Sequence, residues 1–308
     1  VASGTAGRNR CAPRLRRSAE VADALISKLR YLAAGLRQRW NQAARCPSCG
    51  TLSQQAIDRK YFHSLMDCAA CGLRFRYPVE SRDAMLAFYQ DHYFEPGITT
   101  ELPSPQDLQQ LLLSGFRGSA KDFSYHIQIL RSLGLQAGAR ILDFGANWGY
   151  ATWQFRAAGY AAEGYEPSKP RAAYAQALGI TIHTDWSAIE PGFDAVYSCH
   201  VLEHVPDPAR AMRDQLALLK PGGLLIAHTP NGSEAYRRKH PAHLRKIWGK
   251  VHPTLLTDRF VAGIAGRQDY MVSSDDRPQS LQRWAEQAQL MDPCEGDGLF
   301  FVIRRAAA

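Results

Sequence analysis

No run of about 18 uninterrupted apolar residues occurs in the 308-residue sequence, so no segment is predicted to span a membrane as a helix. The N-terminal stretch lacks the apolar core of a secretory signal, which predicts a cytoplasmic protein. Charge of one sign is scarce outside the start of the chain. Residues 1–45 carry ten Lys and Arg against two acids, Glu20 and Asp23, and account for the net charge of +8. The remaining 27 basic residues are matched by 27 acids, so total charge gives no case for nucleic acid as a partner. Internal repeats are absent. The seven cysteines, four paired and three scattered, fit reduced thiols better than a disulfide framework.

What is there fits a globular chain with a substantial core: 45% of residues are hydrophobic and 21% charged. Residues 1–17 read as an Arg-rich polar tail. From 18 to 43, Leu25, Leu29, Leu32, Leu36 and Trp40 recur at helical spacing among Lys28, Arg30, Arg37 and Arg39. This basic amphipathic helix admits two readings: peripheral membrane or partner contact, or an extension packed on its own domain with its basic face solvated. The domain division that follows is 1–43 tail and helix, 44–79 cysteine segment, 80–135 helical linker and 136–308 main domain, with an insertion at 232–276. Three helices are predicted in the linker, at 81–93, 105–116 and 120–134. Strands are predicted at 140–145, 161–166, 179–183, 193–199 and 222–229, with helices after 149, 168 and 207. Such alternation predicts an α/β fold, a doubly wound and mostly parallel sheet covered on both faces. The insertion holds the basic run "RRKHPAHLRKIWGKVHP" and falls beyond the fifth strand, where a lid or acceptor pocket is plausible.

Cys46-x2-Cys49 and Cys68-x2-Cys71, with 18 residues between the pairs, have the spacing of a four-thiolate zinc ribbon. Gly50 and Gly72 follow the pairs and let the backbone curl. Four protein ligands fill a tetrahedron, so the expected Zn2+ is structural. A redox Cys-x-x-Cys reading is weaker, because no thioredoxin-like pattern surrounds either pair.

"RILDFGANWGY", residues 140–150, is an apolar strand that runs into a glycine-bearing turn. A dinucleotide fingerprint wants glycine where Asn147 and Tyr150 stand, and no Gly-Lys-Ser/Thr follows to make a P-loop. What remains is Asp143, Gly145 and Gly149, with Asn147 the non-glycine residue best suited to a left-handed backbone. A second strand ends at Glu166, 21 residues beyond Gly145, where a carboxylate can accept from both hydroxyls of a ribose. The expected ligand has a ribose but no diphosphate.

"ILDFGANWG", "GYEPS", "FDAVYSCHVLEHVPDP" and "LKPGGLLIAHTPN" resemble, in order, the motifs of class I S-adenosylmethionine-dependent methyltransferases, over residues 119–308. The preceding "CPSCG", "CAACGLRFRYP" and "FYQDHYF" are similar to a zinc-ribbon subgroup that includes sugar methyltransferases and relatives of the ubiquinone-pathway O-methyltransferases. The resemblance implies a Rossmann-like methyltransferase fold with an N-terminal helix and small zinc ribbon. It implies that Asp143, Gly145, Ala146, Asn147 and Gly149 border the methionine and ribose of S-adenosylmethionine, and that Glu166 binds the ribose hydroxyls. Pro167 and Asp185 with Trp186 would meet the adenine, while Cys199, His200 and Leu202 would line the methyl-transfer side. Trp186 reads equally well as an ordinary loop aromatic.

An alcohol acceptor benefits from a base near neutral pKa, and the candidates are His200, His204 and His252. His204 also reads as a residue that orients its loop. Arg237, Arg238, Lys239, Arg245 and Lys246 suit an anionic acceptor, or simply a solvated basic loop. After the fourth strand there is neither an Asp/Asn-Pro-Pro-aromatic motif nor a Pro-Cys nucleophile, which argues against nucleic-acid amino groups and pyrimidine carbons. The expected acceptor is a small molecule or glycan, methylated on oxygen. The alternative is an RNA methyltransferase that grips its substrate with the ribbon and basic N-terminus.

Overall fold

The computed structural model describes residue 39 and residues 42–80, 101–274 and 278–307. The tail at 1–17, most of the helix at 18–43, and the helix at 81–93 fall outside the described residues. Two sheets organise the rest. A small antiparallel sheet is formed by β1 (Gln55–Lys60), β2 (His63–Asp67), β3 (Arg74–Tyr77) and β9 (Thr254–Leu255) in that order. β9 comes from the stretch after the fifth predicted strand, so residues nearly two hundred positions apart close this small sheet.

The main sheet holds eight strands: β4 (Arg140–Phe144), β5 (Ala161–Tyr165), β6 (Ile182–His183), β7 (Phe193–Cys199), β8 (Leu219–Pro230), β10 (Asp269–Ser273), β11 (Gln289–Met291) and β12 (Gly298–Arg304). Their order is β11-β10-β12-β8-β7-β4-β5-β6. Every pairing from β8 to β6 is parallel, whereas β12 runs antiparallel between β8 and β10. β10 thus belongs to the main sheet although its residues lie within 232–276. The strand predicted at 179–183 pairs only through Ile182 and His183, and β8 begins at Leu219, earlier than the glycine pair suggested.

Period-two alternation in the strands assigns their side chains to two layers. Ile141, Ala195, Tyr197, Leu224, Ile226 and Val302 face one cluster, which α2 (Ser124–Ser132), α3 (Tyr150–Ala157) and α9 (Pro278–Glu286) cover. Leu142, Val196, Leu225, Ala227, Phe301 and Ile303 face the other, with α5 (Pro208–Leu218), α8 (Asp258–Ala265) and Leu73 and Phe75 at the small sheet. The remaining helices are α1 (Pro105–Ser114), α4 (Lys169–Ala177), α6 (Glu234–Lys239) and α7 (Pro241–Ile247). Helix starts follow ordinary capping: Ser104, Asp207 and Thr257 each accept a first-turn N–H, and Pro105 and Pro208 occupy positions that need no donor. The α3 helix instead starts from Gly149 in a left-handed backbone, which offers no side-chain cap of its own. No described helix is long and apolar enough to cross a membrane.

Candidate functional site

β7, β4, β5 and β6 are adjacent and parallel, so their C-terminal ends share one sheet edge. The chain leaves β4 toward β5 and later returns to β7 on its other side. The crevice between β4 and β7 is therefore the topological switch point, where open α/β sheets take their ligands. Onto this edge fall Asp143 at the end of β4, the turn 145–149, Glu166 and Pro167 after β5, Asp185 and Trp186 after β6, and Cys199, His200 and Leu202 at and after β7.

The turn is built by three left-handed residues, Gly145, Asn147 and Gly149, with φ of 80°, 56° and 84°. Asn147 tolerates this geometry as anticipated, and its Oδ1 accepts from the Trp148 N–H at 2.9 Å. At Gly145 a Cβ would come within 2.4 Å of Val201 Cγ2, so the loop after β7 packs on bare backbone there. Glu166 is 8% exposed and fastens the turn to the next strand. Its Oε2 accepts from the Asn147 N–H at 3.0 Å and its Oε1 from the Ser168 N–H at 2.8 Å. Each oxygen retains a second lone pair. The Ser168 hydroxyl and the Trp148 indole N–H, both buried near this turn, have no hydrogen-bond partner among the described residues.

Asp143 is 4% exposed and accepts from the Thr152 hydroxyl at 2.6 Å, which ties the end of β4 to α3. Burial pushes its pKa up to about 6 against the Thr152 hydrogen bonds, with Glu166 adding to the rise. Burial also raises Glu166, opposed by the Ser168 amide and Arg171. Two desolvated carboxylates beside a turn favour a cationic, hydroxyl-bearing ligand over a phosphate. Asp185 is exposed and caps its own short 3-10 turn through Ser187, and Trp186 sits edge-on to Phe144 and Tyr165 at 5.5 and 5.2 Å. Ala146 and Leu202 are buried packing residues.

His200 also holds a left-handed backbone, φ 54°, and its side chain is 63% exposed. Behind it lies Glu203, with no exposure, whose Oε1 is 3.3 Å from His200 Nδ1 and whose Oε2 accepts from the Thr229 hydroxyl at 3.1 Å. The Glu203 hydrogen bond raises His200 above its ordinary 6.5. Burial would raise Glu203, yet His200, His204 and His252 hold its pKa low. His204 and His252, from the loop after β7 and the segment before β9, meet edge-on at 4.7 Å, and burial lowers the His204 pKa. Sequence reasoning missed Glu203. Its signal was a lone carboxylate within the apolar "CHVLEHVP", between two histidines.

Cys46, Cys49, Cys68 and Cys71 form one compact group of thiols. Cys46 and Cys71 sulfurs are 3.6 Å apart and those of Cys49 and Cys68 3.5 Å, close to the roughly 3.8 Å edge of a zinc tetrathiolate. In both knuckles the glycine N–H returns to the first cysteine carbonyl, Gly50 to Cys46 and Gly72 to Cys68. A separate cleft of about 380 Å³ between the small sheet and α6 shares no residue with the turn. Its charges are largely matched within it, Glu234 pairing with Arg74 at 2.5 Å and with Arg237 at 2.7 Å.

A family described as a methyltransferase domain matches residues 121–296. The ubiquinone biosynthesis O-methyltransferase of Alkalilimnicola ehrlichii is 32% identical over 174 residues, 53% of this chain and 65% of that protein. The protein of the same name from Ralstonia nicotianae is 30% identical over 174 residues, 53% of this chain and 67% of its own. The chain thus spans about two thirds of these curated relatives, and 46% of the one from Xanthomonas campestris. Among solved structures, the plantazolicin methyltransferase BamL, in complex with a triazolic desmethylPZN analog and SAH, aligns with a TM-score of 0.48 at 12% identity. That alignment covers 73% of this chain and 97% of the other.

Proposed function

The chain belongs to the methyltransferase-domain family, and on that premise we propose that it moves a methyl group from S-adenosylmethionine to a hydroxyl of a small molecule. The observation that carries this reading is Glu166, a buried carboxylate fastened by two backbone N–H groups at the end of the strand beside the turn. Its second lone pairs are available to the ribose hydroxyls, and Pro167 with Asp185 and Trp186 border the adenine. The turn 145–149 and the buried Asp143 flank the methionine portion, where the Asp143 carboxylate suits a sulfonium. When bound, S-adenosylmethionine supplies a methyl group that is already electrophilic, so the protein's work is alignment and proton removal.

His200 is the base in this scheme. Its Nδ1 faces Glu203, which fixes the ring and strengthens it, and leaves Nε2 to take the acceptor's hydroxyl proton. Cys199 and Leu202 flank it at the switch point. His204 and His252 are turned toward backbone carbonyls and Glu203 and are not assigned this role. The acceptor class rests on the relatives, which are named as O-methyltransferases of ubiquinone biosynthesis. RNA and glycan acceptors find no support among those relatives.

The division into 44–79 ribbon, 80–135 linker and 136–308 methyltransferase domain is part of the same reading. So is a structural Zn2+ on Cys46, Cys49, Cys68 and Cys71, which the sulfur spacing supports. Incubation with methyl-labelled S-adenosylmethionine and a pool of hydroxylated small molecules should place label in an alkali-stable methyl ether. Label found in RNA instead, or in no product from any acceptor pool, would overturn the reading.

A further inference from the structure

The cleft between the small sheet and α6 is lined by three guanidiniums, of Arg74, Arg237 and Arg259, and three carboxylates, of Asp67, Glu234 and Asp258. Most of these charges are satisfied by the fold itself. Glu234 accepts from Arg74 Nη2 at 2.5 Å and from Arg237 Nε and Nη2 at 2.7 Å. Arg237, with Arg238 and Arg74, holds the Glu234 pKa down to about 2. Arg74 is 2% exposed and also donates to the Ser233 carbonyl at 3.2 Å. Asp258 accepts from the Arg259 N–H at 2.9 Å in the first turn of α8, where the helix start offsets its charge.

Arg259 and Asp67 are different. The Arg259 guanidinium lies across Gly72, where a Cβ would come within 2.7 Å of its Nε, so bare backbone is what admits it. Its Nη2 donates to the Cys68 and Ala69 carbonyls at 2.7 and 3.2 Å, which fixes the group without neutralising it. Among the described residues no carboxylate pairs with it, and its Nε and Nη1 have no acceptor. The Asp67 carboxylate accepts no hydrogen bond among the described residues. Its ion-pair partner there is Arg74 Nε, at 3.9 Å, beyond hydrogen-bond reach. Because Asp67 directly precedes Cys68, the idle anion and the idle cation share one stretch of wall, with Ile57 beside them.

We propose that this cleft binds a small zwitterion of the α-amino-acid class, its carboxylate on Arg259 and its ammonium on Asp67. A ligand that carries both charges satisfies both idle groups and leaves the lining neutral. A phosphate or a bare carboxylate would instead add negative charge beside three acids, and a neutral polyol would give each charge a weaker partner. The volume of about 380 Å³ leaves room for the ligand's own side chain over Ile57. The site is separate from the turn at 145–149 and does not depend on the methyl-transfer reading.

Ligand-observed NMR titration of the full-length protein with L-leucine, N-acetyl-L-leucine and L-leucinamide separates the zwitterion from its two halves. Leucine should bind at least about tenfold more tightly than either of the others. An excess of the demethylated product of S-adenosylmethionine should leave leucine binding unchanged. Asp67→Asn should abolish the preference for leucine over N-acetyl-leucine, and Arg259→Gln the preference for leucine over leucinamide. Both readouts are affinity ratios within one protein, so a smaller folded fraction in a variant does not mimic them. Absence of leucine binding at millimolar concentration, or equal binding of the three compounds by the unaltered protein, would overturn the proposal. So would displacement of leucine by the demethylated product, or ratios that stay the same in the two variants.

Discussion

His200 and Glu203 show how far single residues determine chemistry here. The Glu203 hydrogen bond raises the His200 pKa above 6.5, and a base must be unprotonated to work. Methyl transfer should therefore fall as pH drops through that raised value. In Glu203→Gln the supporting carboxylate is gone, so the His200 pKa falls and the acid limb of the kcat profile moves to lower pH. The rate at its plateau should drop about tenfold or more, because the ring loses its orienting partner. An acid limb that stays in place in the variant would remove His200 from the role. At this scale the turn and Glu166 were legible, since glycine spacing and a carboxylate at a strand end are local signals. The surroundings of Glu203 were not, because His204 finds its carbonyl partner 47 residues away in a segment that only the fold brings back.

Elements were read well where they are long and periodic. β4, β5 and β7 lie within a residue of their expected bounds, and the helices after 149, 168 and 207 start where their Gly, Ser and Asp positions indicated. β9 was invisible, because a two-residue strand has no period of its own and exists only through its pairing with Arg74 and Phe75. The joint it makes is reinforced next door. Thr257 caps α8 by accepting from the Phe260 N–H at 3.0 Å, and its hydroxyl donates to the Gly72 carbonyl at 2.9 Å. Thr257→Ala removes a cap and a buried link to the ribbon, and should cost about 1–2 kcal/mol in denaturant unfolding. A loss within about 0.5 kcal/mol would show that the ribbon docks without it.

For the whole molecule, strand–helix alternation was enough to foresee a doubly wound sheet, and the sheet's switch point gathers the turn, Glu166 and His200 on one edge. Alternation could not foresee β12 between β8 and β10, because that placement rests on antiparallel pairing of 298–304 with 224–230, which leaves no mark in local spacing. The chain's uneven charge likewise says little about its partner, since the excess sits in residues 1–45 and the site itself is lined by buried acids.

The central claim is that the turn and Glu166 grip a nucleoside, and calorimetric titration with S-adenosylmethionine or its demethylated product tests it most directly. The unaltered protein should bind one equivalent. Glu166→Ala, deprived of two charge-assisted hydrogen bonds worth about 1.5 kcal/mol each, should bind about a hundredfold more weakly. Equal affinity in the two proteins, or no heat of binding in the unaltered one, would contradict the account.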